Sequence, residues 1–130
     1  MNEKKQIFTN RIINFGLCIQ FEEGYFRGSR SFRNSNPGNL RWHNQIGNIG
    51  KDKDGFAIFP DYSTGFAALC RQLQAACYGR SKVYSPTDTL YEFFEKYAPA
   101  NDNNKPREYA ERVAAKLNIS PSTQLKTLLE

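Results

Sequence analysis

Two adjacent glutamates, Glu22 and Glu23, stand directly before Gly24 and are the side chains best suited to acid–base chemistry. A carboxylic acid can protonate the leaving oxygen of a glycosidic bond, and it does so best when apolar surroundings raise its pKa toward neutrality. An apolar stripe at helical spacing leads up to them, formed by Phe8, Ile12, Phe15 and Ile19. The glutamates flank the continuation of this stripe, so we expect one of them to lie near the apolar face. Spacing does not choose between the two, and a solvated helix end is the alternative.

A second group of polar side chains surrounds a predicted tight turn at Pro37-Gly38, where Gly38 is expected to need a positive φ angle. Such a turn would hold the amides of Asn36 and Asn39 in fixed directions. Amide groups both donate and accept hydrogen bonds, as the N-acetyl and hydroxyl groups of amino sugars require. The alternative is that these asparagines only close their own turn.

Other kinds of catalytic site find little support. The single histidine, His43, has no partner pattern, and three cysteines at these positions do not form a zinc motif. We interpret all three cysteines as unpaired core residues of a protein made in a reducing cytoplasm. The segment 52–55 matches only the start of a calcium loop and is predicted as a hairpin turn. The sequence therefore predicts neither a metal nor a cofactor.

The elements that must position these side chains are mostly helical. Apolar spacing predicts helices over residues 5–25 and 64–78. Three further helix starts are predicted from capping and proline signals, at Thr87, at Pro106 and at Ser120-Pro121.

A stretch with different composition separates the first helix from the later ones. Residues 26–60 are rich in Gly and Asn, which is typical of turns, and two short apolar runs at 40–42 and 56–59 predict a small hairpin. The order predicts one α+β domain over residues 1–130, mostly helical, with a small β-hairpin region between the first helix and the later helices.

Composition limits the classes of partner. The chain has 130 residues, a net charge of +5 and eighteen aromatic residues, some of which must build the core. A basic balance attracts polyanions, including nucleic acid, anionic membrane and cell wall. The Lys and Arg residues are scattered, so no nucleic-acid partner is predicted. No apolar stretch predicts membrane insertion, the N-terminus does not look like a signal peptide, and we expect a monomer.

Several motifs in order resemble the phage lysozyme-like proteins that are close to soluble lytic transglycosylases. A Glu-Gly-Tyr at 23–25 is followed by Arg-Asn-Ser-Asn-Pro-Gly-Asn-Leu-Arg at 33–41, and the similarity continues to about residue 118. The resemblance implies a lysozyme-like fold, peptidoglycan as the substrate and Glu23 as the catalytic acid. It implies that the sugar groove is lined by Tyr97, Asn103, Asn104 and Tyr109, and we expect Arg33 as a further substrate contact.

The resemblance also bears on the reaction. Where hydrolytic phage lysozymes carry Asp and Thr, this chain has Phe32 and Gly38, so a single-acid lytic transglycosylase is predicted. Such enzymes cleave between N-acetylmuramic acid and N-acetylglucosamine and leave 1,6-anhydromuramoyl ends. The alternatives are a hydrolytic muramidase, with Asp61 or Glu22 as second carboxylate, and a non-catalytic wall-binding virion protein. The protein is expected to be made in the bacterial cytoplasm and to act on the wall, either after host lysis or from a virus particle.

Overall fold

The computed structural model describes residues 8–100 and 104–129. These residues form an α+β fold that is mostly helical and contains a two-stranded antiparallel sheet, as the sequence predicts. The elements in chain order are α1 (Asn10–Glu22), α2 (Arg30–Arg33), β1 (Gly50–Lys51), β2 (Ala57–Ile58), α3 (Tyr62–Tyr78), α4 (Leu90–Tyr97), α5 (Pro106–Leu117) and a terminal 3₁₀ helix (Leu125–Leu129).

Helix α1 carries the two glutamates at its C-terminal end. It begins later than the predicted residue 5, because Thr9 is the N-cap and its hydroxyl accepts a 3.2 Å hydrogen bond from the Ile12 N–H. Residues 5–7 lie outside the described ranges. The helix ends at Glu22, Glu23 is the C-cap, and Gly24 follows with a φ of +67°. A glycine adopts this left-handed conformation without strain, so it releases the chain from the helix.

An aromatic core holds α1 against the later helices. Phe15 of α1 is fully buried, and its ring centroid lies 5.3 Å from that of Phe93 in α4. Phe94 stacks on Tyr109 of α5 at 4.2 Å. Because α1 also packs against α3, the end of α1 is fixed on two sides.

The sheet differs from the predicted pairing of residues 40–42 with 56–59. Strand β2 pairs with β1 at 50–51, and Arg41 contributes only an isolated bridge to Phe56. The reason is the side chain of Asp52, whose Oδ1 accepts hydrogen bonds of 2.9 Å from the backbone N–H groups of Asp54 and Phe56. This closes a turn immediately after β1, so the prediction of a hairpin turn at 52–55 is confirmed.

Two predicted helix starts are shifted. The N-cap of α4 is Thr89 rather than Thr87, because Thr89 forms a reciprocal capping box with Glu92. The short terminal helix predicted to start at Ser120-Pro121 begins instead at Leu125, since the chain turns at 121–122 and Gln124 bridges to Thr89. The start of α5 at Pro106 is confirmed.

The cysteines are unpaired, as the sequence predicts. Cys70 and Cys77 are buried on α3, and burial raises the pKa of each thiol to about 12. Cys18 is only half-buried, so the prediction of a core position holds for two of the three. None of the helices within the described ranges is long and apolar enough to cross a membrane.

Candidate active site

The carboxyl group of Glu23 is enclosed by side chains from three separate segments. Tyr109 of α5 donates a 2.8 Å hydrogen bond to its Oε2 atom. Burial raises the pKa of the Glu23 carboxyl above its ordinary value, while hydrogen bonds from the side chains of Tyr109 and Asn39 oppose this rise and the charge of Glu22 adds to it. Burial is the largest of these causes, so the protonated acid persists to higher pH than in an ordinary glutamate.

Glu22 has a different environment, which separates the two glutamates where sequence spacing does not. Its side chain is only 7% exposed, and its Oε1 atom lies 2.7 Å from Nε of Arg112. Nζ of Lys116 lies 3.9 Å from the other carboxylate oxygen. Both cations belong to α5, so Glu22 serves as an ion-pair anchor between α1 and α5. Glu23 is therefore a better candidate than Glu22 for an acid that must give up and regain a proton.

The predicted turn at 36–39 provides one wall of the site. The Asn39 side chain lies beside Glu23, and its Oδ1 atom is buried without a hydrogen-bond partner among the described residues. A buried amide oxygen without a donor is energetically costly. Tyr97 closes the turn from the other side, because its hydroxyl donates to the carbonyl oxygen of Gly38.

The structure corrects the reason for a glycine at position 38. The φ of Gly38 lies outside the left-handed region, and the positive φ falls on Asn39, at +50°. Gly38 is required by close packing instead. A Cβ atom there would lie 2.8 Å from Cδ1 of Leu69 and 2.9 Å from the hydroxyl oxygen of Tyr97.

Asn36 does not act as a substrate contact in this structure, which corrects the prediction. It is fully buried, and its Nδ2 donates hydrogen bonds of 2.9 Å to the carbonyl oxygens of Leu40 and Ala57. Its Oδ1 accepts a 2.9 Å hydrogen bond from the Leu40 N–H. Asn36 therefore closes its own turn and ties it to β2, the alternative interpretation of the sequence.

Three further predicted residues lie at the surface. The guanidinium of Arg33 donates a 2.8 Å hydrogen bond to the carbonyl oxygen of Gly28, which fastens α2 to the preceding loop. Asn104 is exposed and donates to the Pro99 carbonyl oxygen at 3.3 Å. Asp61 is exposed and caps α3, where hydrogen bonds from Thr64 lower the pKa of its carboxyl.

The remaining predicted substrate contact, Asn103, lies outside the described residues. Of the others, the structure brings Asn39, Tyr97 and Tyr109 together around Glu23. The charge of Glu23 and burial both raise the pKa of the Tyr97 and Tyr109 hydroxyls, burial more strongly. Both tyrosines therefore remain hydrogen-bond donors at neutral pH.

A groove of about 640 Å³ opens next to this cluster and shares Asn39 and Tyr97 with it. Its floor is the face of α3 that carries Ala68, and its walls are the segments 39–46 and 81–84. We call it the α3 groove. The sequence did not predict this groove. Its two walls are separated in the sequence by α3, whose apolar spacing indicates only packing in the core. A second cavity of about 570 Å³, between α1 and α5, shares no residue with the contacts of Glu23.

Within residues 8–100 and 104–129, no three His, Cys, Asp or Glu side chains cluster closely enough to hold a metal ion. No protein-family model, curated protein or solved structure gives a match to this chain. A functional assignment therefore depends on the chemistry of the Glu23 site and on the motifs in the sequence.

Proposed function

We propose that this protein cleaves the glycan strands of bacterial peptidoglycan, as a lytic transglycosylase of lysozyme-like fold with Glu23 as its proton-transferring group. The observation that carries the proposal is the environment of Glu23. Its carboxyl is largely buried, has a raised pKa and is held by Tyr109 beside a groove. A carboxylic acid in such surroundings is suited to protonating a glycosidic oxygen near neutral pH.

The first step transfers the proton of Glu23 to the oxygen that links N-acetylmuramic acid to N-acetylglucosamine. The bond from C1 of the muramoyl ring to that oxygen breaks, and positive charge develops on the ring. Tyr109 donates to Oε2 of Glu23 and so holds the carboxyl group in a fixed orientation for the proton transfer. Asn39 lines the groove beside Glu23, and its amide is the kind of group that hydrogen-bonds the acetamido and hydroxyl groups of a sugar.

In the second step, the carboxylate of Glu23 removes the proton from the 6-hydroxyl of the same muramoyl ring. The hydroxyl oxygen bonds to C1 and closes a 1,6-anhydro ring, so Glu23 recovers its proton and no water is consumed. Because the hydroxyl belongs to the substrate itself, its effective concentration is high.

Hydrolysis of the same bond is the competing reaction, and it would call on a second carboxylate. The two candidates have other roles here. Glu22 is paired with Arg112, and Asp61 caps the first turn of α3. These roles favour the single-acid route.

The proposal is tested by incubating purified sacculi with the wild-type protein and measuring the soluble muropeptides released. Glu23→Gln preserves the shape of the side chain but removes its proton, so we expect release to fall by a factor of about 100 or more. Glu22→Gln is the matched control and should retain most of the release. If Glu22→Gln abolishes release and Glu23→Gln does not, the roles are reversed. If the wild-type protein releases nothing, the proposed function is wrong.

A further inference from the structure

The lining of the α3 groove is basic. It contains four Lys and Arg side chains and no Asp or Glu, and the four are Arg41, Arg71, Lys82 and Lys96. A groove with charges of one sign attracts ligands that carry the opposite charge. The positions of these charges therefore bear on which part of a substrate occupies the groove.

Two of the four side chains, Arg71 and Lys82, have charges that are not compensated by a carboxylate among the described residues. Lys96 is excluded because its Nζ lies 2.7 Å from Oδ2 of Asp88, which compensates its charge. Within residues 8–100 and 104–129, no carboxylate lies within ion-pair distance of Arg71 or Lys82.

The two charges stand on different walls. Arg71 is a residue of α3, the floor of the groove. Its guanidinium donates a 3.2 Å hydrogen bond to the carbonyl oxygen of Ile46 in the 39–46 wall. That contact with an uncharged carbonyl leaves the positive charge uncompensated. Lys82 lies in the 81–84 wall and is exposed. Asn39 and Tyr97 connect the same groove to Glu23.

We infer that the α3 groove binds the peptide stem of the muramoyl residue next to the cleaved bond, and that Arg71 and Lys82 pair with the stem carboxylates. The inference rests on the proposed function and adds a substrate preference: strands that carry acidic stems over strands whose stems have been removed. A stem is attached to the same muramoyl ring that reacts at Glu23, so its carboxylates enter the groove with the substrate.

Phosphate groups of anionic wall polymers offer a similar charge, but they are not attached to the reacting ring. The volume of about 640 Å³ is in the range that accommodates a small ligand. We therefore assign the groove to the stem. The test includes strands from which the phosphate polymers have been removed.

The test compares KM on three preparations: intact glycan strands, strands whose stems have been removed by an amidase, and intact strands freed of phosphate polymers by acid. We expect KM to be about tenfold lower on both stem-bearing preparations than on stem-free strands. Arg71→Gln combined with Lys82→Gln should remove this difference by raising KM on stem-bearing strands only. The matched control combines Lys53→Gln with Arg80→Gln, which removes the same charge outside the groove and should preserve the difference.

Several outcomes would overturn the inference. One is an equal KM of the wild-type protein on stem-bearing and stem-free strands. A second is a loss of affinity when only the phosphate polymers are removed, and a third is an equal effect of the groove and control variants. All three presuppose cleavage. If the wild-type protein cleaves none of the preparations, the proposed function itself fails, and that result is distinct from cleavage without preference.

Discussion

The hydroxyl of Tyr109 donates a 2.8 Å hydrogen bond to Oε2 of Glu23, and the two residues are 86 positions apart in the chain. The bond connects the end of α1 to α5. Tyr109 is itself held by stacking on Phe94. The orientation of the proposed acid is therefore fixed by the same aromatic core that stabilises the fold.

Replacing Tyr109 with Phe tests this relationship. The hydroxyl stabilises the carboxylate form of Glu23, so its loss should raise the pKa of Glu23 further and move the basic limb of the pH–rate profile upward. The carboxyl also loses its orientation, and we expect kcat to fall about tenfold. The measurement is kcat on solubilised glycan strands across the pH range.

The control for this variant is Tyr91→Phe. Tyr91 also uses its hydroxyl to reach a glutamate on α5, since it donates at 3.1 Å to Oε2 of Glu111, but this contact is exposed. Its loss should change neither kcat nor the pH profile. Equal effects of the two substitutions would show that the Tyr109 hydroxyl has no special connection to the reaction.

The raised pKa of Glu23 predicts a pH-dependent change in stability. The folded state favours the protonated acid, so the stabilising contribution of Glu23 is fully present below its unfolded value of 4.5 and is lost as the pH rises through the folded value. Glu23→Gln does not titrate. We therefore expect the Tm of Glu23→Gln, relative to the wild type, to increase between about pH 4 and pH 8.

Glu95→Gln serves as the control for this measurement, because Glu95 is exposed on α4. The increase with pH should be larger for Glu23→Gln than for this variant, which removes one carboxylate from an exposed position. A constant difference for Glu23→Gln would contradict the raised pKa.

The ion pair between Glu22 and Arg112 should contribute to stability rather than to chemistry. Arg112→Gln leaves the nearly buried Glu22 carboxylate with only the more distant Lys116. Because Arg112 is half-exposed, we expect a loss of about 1–2 kcal/mol in the free energy of unfolding, less than for a fully buried pair. Urea denaturation measures this value.

Arg107→Gln is the matched control on the same helix. Arg107 lies 4.0 Å from Glu111, with both side chains exposed, and the loss should stay below about 0.5 kcal/mol. If the two variants lose the same amount, Glu22 is not an anchor.

Because Asn36 closes its own turn, we predict that it contributes to the stability of the fold and not to substrate binding. Asn36→Ala would remove the side-chain partner of the Ala57 carbonyl oxygen and of the Leu40 N–H, and one of the two donors to the Leu40 carbonyl oxygen. We expect a loss of about 2–4 kcal/mol in the free energy of unfolding. Asn104→Ala, at the surface, should change it very little. A stable Asn36→Ala protein with a raised KM would restore the original interpretation.

Local signals in the sequence predicted much of what positions the site. The stripe that ends at Ile19 and the glycine at Gly24 indicated a buried helix ending at the glutamates, and α1 ends at Glu22. Pro106 indicated the start of α5 correctly. These features depend on residues a few positions apart, which is the range over which periodicity and capping act.

Contacts between distant segments were not predictable in this way. The choice between the two glutamates depends on Arg112, 90 positions away, and on the burial of Glu23 against α5. The strand partner of β2 was not predicted, because the Asp52 side chain closes the turn directly after β1. A hydrophobic pattern does not indicate such a hydrogen bond. The α3 groove likewise exists only once three segments are packed together.

The most direct test of the single-acid mechanism is mass spectrometry of the muropeptides released from purified sacculi. We predict products with a 1,6-anhydro ring, about 18 mass units lighter than their hydrolysed counterparts, because Glu23 recovers its proton from the 6-hydroxyl and no water is consumed. Products with only reducing ends would contradict it. They would direct attention to Asp61 and Glu22, through Asp61→Asn and Glu22→Gln, as the source of a second carboxylate.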